Sequence, residues 1–355
     1  MKTLLFTMEY PPFNGGVANY YSNLVKHWPE PNGLRVLFKK YPASPAQYLL
    51  GFRDLSSIVS RAGIDHIIVG QILPLGAIVY IFNLIFHKPY TIVLHGLDLS
   101  LALSSGRKRW LVKKILGNSQ KIICANNYVA KLVNDFSANL AVKIAVVNPG
   151  VEKVAVVSAA RVLELKQQYN LEGQKVILTM GRLVKRKGVD TMLSVLASLD
   201  KDKISNWRYV VLGAGPDEAY LKRLCQENGL DNLVIFIGET SEIDKWSWLD
   251  ICTLLAMPTR NIAGDFEGFG IVYLEANLMG KPVLATASGG VSDAVLHGVS
   301  GLLVEESNLA LNLEKLMGNE ELGEYLGQKG RWRAQTEFNW LTQAQRFYSN
   351  INFNL

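Results

Sequence analysis

The chain is predicted to be an α/β protein built from two doubly wound domains that face each other across a cleft. Three observations predict this. Short apolar runs alternate with helical stretches along all 355 residues, the pattern of parallel sheets flanked by helices. The pattern restarts near residue 176, after the breaker cluster Asn148-Pro149-Gly150, so two such sheets are expected. With 49% of residues apolar and only 19% charged, the chain has the composition of a folded protein long enough for two cores.

In the first half, strands are expected at 2–7, 34–38, 66–69, 90–94, 121–125 and 144–147. The N-terminal run has no cleavage-site pattern and is interrupted early by Glu9, so it reads as the first strand and not as a signal peptide. Gly15-Gly16 then opens a helix over 17–25. Residues 67–86 carry no charge and meet the length criterion for a membrane span. However, Gly70, Pro74 and Gly76 divide them into a strand at 67–69 and a helix at about 76–86. The second half has strands at 176–180, 208–212, 234–236, 253–257, 282–285 and 301–304. Helices between them are expected at 189–199, 217–228, 271–279 and 309–317. The domains are assigned to 1–165 and 166–337.

Charge is unevenly placed. Residues 1–150 hold 16 Lys and Arg against 6 Asp and Glu, a net of +10, which leaves −4 for residues 151–355 in a chain of +6. Such asymmetry points the first half at an anionic partner. Its densest part is the basic amphipathic stretch 107–116, with Trp110, Leu111, Ile115 and Leu116 among Arg107, Lys108, Arg109, Lys113 and Lys114. That helix either lies on an anionic membrane surface or is an ordinary surface helix with its apolar side to the core. No stacking motif or groove-reading helix stands out, so no nucleic-acid partner is expected. Cys124, Cys225 and Cys252 are odd in number and lack metal-ligand spacing, as in a reduced, cytoplasmic compartment.

Ligands of open parallel sheets bind beyond the carboxyl ends of the strands, and the polar motifs fall there. Gly15-Gly16 follows the first strand, and His95-Gly96-Leu97-Asp98 the fourth. In the second half come the loop Gly181-Arg182 to Lys187-Gly188, the turn Gly213-Ala214-Gly215-Pro216, and the stretch from Glu267 to Glu275. Gly268 and Gly270 leave backbone N–H groups open to an anion at a helix start, with Phe269 between them. A phosphate cradle between two carboxylates suits a sugar nucleotide, one Glu taking hydroxyls of the sugar and the other those of the ribose. The alternative is an amphipathic helix with solvated ends. Arg182 and Lys187 could neutralise a departing diphosphate, the first as a planar fork and the second as a point charge. Lys185 and Arg186 are basic too, so a solvated basic loop is the other reading. A lone His95 is equivocal. Without a Ser-His-Asp order or metal-ligand spacing, hydrolase and metalloenzyme readings find little support.

Taken in order, these motifs resemble the family 4 retaining glycosyltransferases, which have the GT-B architecture of two Rossmann-like domains. The resemblance runs over nearly the whole chain. It includes Pro11-Pro12 to Gly15-Gly16, His95-Gly96 to Asp98, Asn148-Pro149-Gly150-Val151, and Gly181-Arg182 to Lys187-Gly188. It continues through Gly213 to Pro216, the Glu267 and Glu275 pair, Gly280 to Val283, and Ser288-Gly289-Gly290. The resemblance implies that Arg182 and Lys187 hold the donor diphosphate and that Glu267 contacts the transferred sugar. Gly268, Phe269 and Gly270 would lend backbone donors, and Glu275 would bind the ribose. It places His95 by the donor sugar and Gly15-Gly16 in the wall shared by donor phosphate and acceptor. It implies front-face attack assisted by the departing phosphate oxygen, with no protein nucleophile, no cofactor and no metal.

The wording around Met257-Pro258-Thr259-Arg260 and Glu267 to Glu275 is most similar to bacterial lipid-acceptor mannosyltransferases. The substrates implied are a GDP- or UDP-linked sugar and a lipid or saccharide hydroxyl. The place implied is the cytoplasm, peripheral on the inner face of the membrane. Asp293 and Ala214 depart from the family pattern and put substrate detail in doubt. The tail, about 338–355, resembles the family's terminal helix, which packs back on the first domain. A sugar-nucleotide epimerase would need acid/base carboxylates in the first domain, where Glu9 and Asp98 are the candidates. A non-catalytic binder would be expected to lack part of the Arg182, Lys187, Glu267 and Glu275 set.

Overall fold

The computed structural model describes residues 1–13, 15–41, 44–103, 105–152 and 156–352. The chain divides into two compact units, Met1–Gly150 with Asn339–Leu355, and Val151–Phe338.

The first unit runs β1 (Thr3–Thr7), α1 (Gly16–Lys26), β2 (Leu34–Phe38), α2 (Ala46–Ala62), β3 (His66–Val69), α3 (Ala77–Phe86) and β4 (Tyr90–Leu94). It continues with α4 (Leu97–Ala102), α5 (Gly106–Asn118), β5 (Lys121–Cys124), α6 (Asn127–Phe136) and β6 (Ile144–Val146). The strands form one parallel sheet in the order β2-β1-β3-β4-β5-β6. All five residues of β1 are buried. Leu4 and Phe6 pack in a cluster with Leu55 and Ile78 of α2 and α3, while Leu5 packs with Tyr21 and Leu24 of α1. Side chains alternate between faces, so a strand covered on both sides reads as one continuous apolar run.

The uncharged stretch after residue 66 is β3, a tight turn over Ile72–Gly76, and then α3. Among the described residues no helix is long and apolar enough to cross a membrane. Val112, Ile115 and Leu116 of α5 are buried, so the apolar side expected at 107–116 faces the core. Trp110 departs from it and is 64% exposed.

His66 lies inside β3, only 1% exposed, with ring Nε2 at 2.9 Å from Thr91 Oγ1. Burial pushes its pKa down to about 4 from 6.5. Between those values the unfolded chain holds a proton that the folded chain does not. Stability is therefore full above the higher value and is lost as pH falls toward the lower one. For one histidine the loss is on the order of 3 kcal/mol. Thermal unfolding of His66→Gln should show a shallower pH slope in this window than wild type, and equal slopes would contradict the assignment.

The second unit runs α7 (Ala159–Gln168), β7 (Lys175–Met180), α8 (Val189–Ser198), α9 (Lys201–Ile204), β8 (Trp207–Leu212), α10 (Glu218–Glu227) and β9 (Val234–Gly238). Then come α11 (Glu242–Ile251), β10 (Leu254–Met257), α12 (Ile271–Leu278), β11 (Val283–Thr286), α13 (Val291–Ala294), β12 (Leu302–Val304), α14 (Leu309–Gly318) and α15 (Glu320–Thr336). Its parallel sheet has the order β12-β11-β10-β7-β8-β9. Along β7, Val176, Leu178 and Met180 share a cluster with Trp246 of α11 and Tyr273 of α12. Ile177 faces the other way, into a cluster with Met192 and Leu193 of α8.

The division falls at Gly150, the breaker cluster, and not at 165. Helix α7 belongs to the second unit because Leu165 is buried in its core and Arg161 is paired with Asp244 of α11 at 2.7 Å. The final helix, α16 (Trp340–Ile351), belongs to the first unit. There Trp340 sits edge-on to Tyr20 and Phe347 lies beside Trp28, with ring centroids 5.5 and 6.1 Å apart. Positions 353–355 of the expected terminal helix lie outside the described residues.

Candidate active site

The loop after β7 ends in a single 3-10 turn, Lys185–Lys187, that sends three successive basic side chains in different directions. Lys185 stays exposed. Arg186 Nη1 reaches Glu267 Oε2 at 2.6 Å, and its Nε reaches Asp265 Oδ1 at 3.2 Å. Lys187, only 8% exposed, brings Nζ to 2.7 Å from the same Glu267 oxygen. Gly188 closes the turn at φ +70°, and a Cβ there would lie 1.9 Å from the Pro258 carbonyl oxygen. Only glycine permits that close approach between the loops after β7 and β10. Arg182 opens the loop with an exposed side chain that makes no hydrogen bond or ion pair among the described residues.

Glu267 is buried. Burial pushes its carboxyl up, but Lys187 and Arg186 outweigh that and hold it below the ordinary value, so it is ionised. Its backbone is held by the Ser288-Gly289-Gly290 turn, where the Gly290 N–H donates to the Glu267 carbonyl at 2.9 Å. Gly289 sits at φ +56°, and a Cβ there would lie 2.2 Å from that carbonyl oxygen. Gly270 caps the start of α12, and the Phe269 side chain turns into the core against Phe338, with centroids 5.9 Å apart. One helical turn on, buried Glu275 accepts from Lys245 Nζ of α11 at 2.8 Å. Burial raises the Glu275 carboxyl, and Lys245 opposes the rise. Lys245 also pairs with Glu242 at 2.5 Å.

Arg260, after β10, braces this arrangement. Its Nη2 donates to both Asp190 oxygens at 2.8 Å and to the Lys185 carbonyl at 2.7 Å, and its backbone N–H donates to the Arg186 carbonyl at 2.8 Å. A cavity of about 860 Å³ opens beside it, lined by Lys185, Asp190, Tyr220, Arg260, Ile262 and Glu306. Lys187, Glu267 and Glu275 do not line this cavity. The ion-paired cluster on Glu267 and this cavity, whose lining is of mixed sign, are thus separate features of the unit.

In the first unit, His95 follows β4. Its backbone N–H and that of Gly96 donate to Asp98 Oδ1 at 3.1 and 2.9 Å, and its Nε2 lies 3.1 Å from Tyr21 Oη. Burial pushes the imidazole down to about 4, so it is neutral, and pushes Asp98 up to about 6 against the backbone N–H groups it accepts from. Gly15 caps α1, and a Cβ on Gly16 would meet nothing within 4 Å. The residues singled out from sequence thus divide between the units. Gly15, Gly16 and His95 lie in the first, and Arg182, Lys187, Glu267, Gly268, Phe269, Gly270 and Glu275 lie in the second.

Residues 162–333 match the family described as Glycosyl transferases group 1. This stretch is a glycosyl transferases group 1 domain. It holds Arg182, Lys187, Glu267, Gly268, Phe269, Gly270 and Glu275. Over nearly its whole length, 96% of this chain and 95% of the other, the chain is 27% identical to an uncharacterized glycosyltransferase of Methanocaldococcus jannaschii. It is 31% identical to a GDP-mannose-dependent alpha-(1-6)-phosphatidylinositol monomannoside mannosyltransferase of Mycobacterium tuberculosis, over 52% of this chain and about half (49%) of that protein. Among solved structures it is similar to HepE of Anabaena in complex with UDP, with a TM-score of 0.81 and 21% identity over 99% of this chain and all (100%) of that one. A glycosyltransferase of Rickettsia africae aligns with a TM-score of 0.82 and 16% identity over 99% of each chain. These likenesses show the GT-B fold.

Within the group 1 domain, sequence reasoning did not single out Arg186, Lys245 or the bracing role of Arg260. Arg186 is adjacent to Lys187 and offered no signal to distinguish it from Lys185. Lys245 lies 30 residues before Glu275, a separation that only the packing of α11 on α12 closes.

Proposed function

We propose that the protein is a retaining glycosyltransferase of family 4 that moves a hexose of mannose or glucose type from a GDP- or UDP-linked donor to a lipid or saccharide hydroxyl. The observation that carries the reading is the ion-paired triad of buried Lys187 and Glu267 with half-buried Arg186, beside the helix that bears Glu275. A diphosphate is bound by Lys187 and Arg186, which release Glu267 as they turn to the phosphates. The freed carboxylate oxygen and the Gly268 to Gly270 backbone then meet sugar hydroxyls, and Glu275 meets the ribose. Arg182 adds a third cation, and the reading also assigns donor contacts to Gly15, Gly16 and His95. The bond from the anomeric carbon to the diphosphate oxygen breaks as the acceptor oxygen bonds the same face. The acceptor proton passes to the departing phosphate, so the reading asks for no metal, cofactor or protein nucleophile.

The same reading places the protein in the cytoplasm, peripheral on the inner face of a membrane, in glycolipid or cell-envelope polysaccharide synthesis. Exposed Trp110, Leu97, Leu101 and Phe86 lie on α5, α4 and α3, and Arg107 and Lys108 belong to the same helix as Trp110. Apolar and basic groups so combined favour an anionic lipid surface. Nucleoside diphosphate release is expected from one of GDP-mannose, UDP-glucose, UDP-N-acetylglucosamine or UDP-galactose, and is expected to rise with vesicles of anionic lipid extract. Binding of a donor with no release under any of these conditions would contradict the reading.

A further inference from the structure

The His95 ring has one nitrogen in contact with the protein. Its Nε2 lies 3.1 Å from Tyr21 Oη, and Nδ1 has no partner among the described residues. Tyr21 is fully buried in α1, and its hydroxyl lies 2.8 Å from the Gly70 carbonyl oxygen. A carbonyl only accepts, so the single Tyr21 proton points at Gly70. Gly70 is itself held by the sheet, its N–H donating to the Phe6 carbonyl at 2.8 Å. The Tyr21 oxygen therefore presents a lone pair to His95. Two lone pairs would repel at this distance, so His95 Nε2 carries the proton. Burial holds the Tyr21 phenol well above its ordinary pKa and His95 well below, so both groups are neutral. The ring plane is fixed edge-to-face by Tyr20 and Tyr21, with centroids 5.0 and 5.4 Å away.

We infer that Tyr21 is a positioning residue that locks His95 in the Nε2–H tautomer, so that Nδ1 offers an acceptor lone pair to a hydroxyl of the bound donor sugar. The inference rests on the placement of His95 by that sugar in the proposed function. The chain of command runs from the β1 and β3 pairing through Gly70 and Tyr21 to a single ring nitrogen. A histidine in the other tautomer would present an N–H there and would repel nothing but also accept nothing. The tautomer thus decides which sugar hydroxyl geometry the site holds.

The test is nitrogen-15 NMR of the full chain labelled at histidine, with His95→Gln used to assign the His95 signals, alongside transfer rates for wild type and Tyr21→Phe. Wild type is expected to show a protonated Nε2 and an unprotonated Nδ1. Tyr21→Phe is expected to show a mixture of tautomers and a transfer rate lower by roughly 3- to 10-fold, the worth of about one hydrogen bond, with nucleoside diphosphate affinity unchanged. A protonated Nδ1 in wild type would overturn the inference, whether or not Tyr21→Phe folds. An unaltered Nε2–H tautomer in Tyr21→Phe would overturn the role of Tyr21. A mixed tautomer in Tyr21→Phe at the full wild-type rate would leave the tautomer lock standing and overturn the placement of His95 by the sugar.

Discussion

Lys187→Met is expected to lower turnover by about 10²- to 10³-fold, the usual cost of removing one fixed charge from a site where negative charge develops. Methionine keeps most of the volume of the lysine stem, so the turn closed by Gly188 is retained. Only the ammonium is lost. In the wild type that ammonium is buried and held 2.7 Å from Glu267, so under the proposed function it is oriented before substrate arrives and needs no reorganisation when the diphosphate departs. Arg186, which shares the same carboxylate oxygen, still neutralises Glu267 in the variant, so the fold is expected to survive. Steady-state release of nucleoside diphosphate, with thermal unfolding as the control for folding, checks the expectation. A turnover within a few-fold of wild type would mean that Lys187 does not face the leaving group.

Glu267→Gln is expected to separate binding from turnover. The carboxylate sits between two cations, and its removal leaves Lys187 and Arg186 close together without a compensating charge. Breaking a buried pair on one side costs about 3–5 kcal/mol of stability. The two cations are then free to take a diphosphate, so nucleoside diphosphate affinity is expected to hold or tighten. Turnover is expected to fall by about 10²-fold, because the amide accepts sugar hydroxyls less strongly than the carboxylate does. A parallel loss of nucleotide affinity and turnover would show that Glu267 acts mainly as a scaffold for the loop. Added nucleoside diphosphate should recover part of the lost thermal stability, since binding stabilises the folded chain by mass action.

The parts of the fold that were legible in the sequence are those set by local burial. β1, β3, β4 and β7 are covered on both faces, so their uninterrupted apolar runs could be read as parallel strands. The glycines that let loops meet, such as Gly188 and Gly289, stood out because few other residues punctuate a chain so clearly. The assignment of α7 was not legible, since Leu165 is the one buried residue its helix contributes and the Arg161 and Asp244 pair spans a wide gap in sequence. The amphipathic pattern of 107–116 was legible, but period alone does not say whether the apolar side meets a core or a lipid. Here Val112, Ile115 and Leu116 meet the core.

The site divides in the same way. Glu267, Lys187 and Glu275 were visible through their glycine-rich context, while their partners were not. Lys185, Arg186 and Lys187 are three adjacent basic residues, and only the 3-10 turn separates the exposed one from the two that grip Glu267. Lys245, which neutralises Glu275, and Tyr21, which contacts His95, are recognisable only once distant elements are packed.

Calorimetric titration of GDP and of UDP into wild type and Lys187→Met tests the central claim most directly, that the buried charges of the second unit form a nucleoside diphosphate site. The account predicts saturable binding of one nucleotide to wild type, weakened by about 10-fold or more in the variant, as expected when a charge-assisted contact to phosphate is lost. Equal binding to both proteins, or none to wild type, would contradict it.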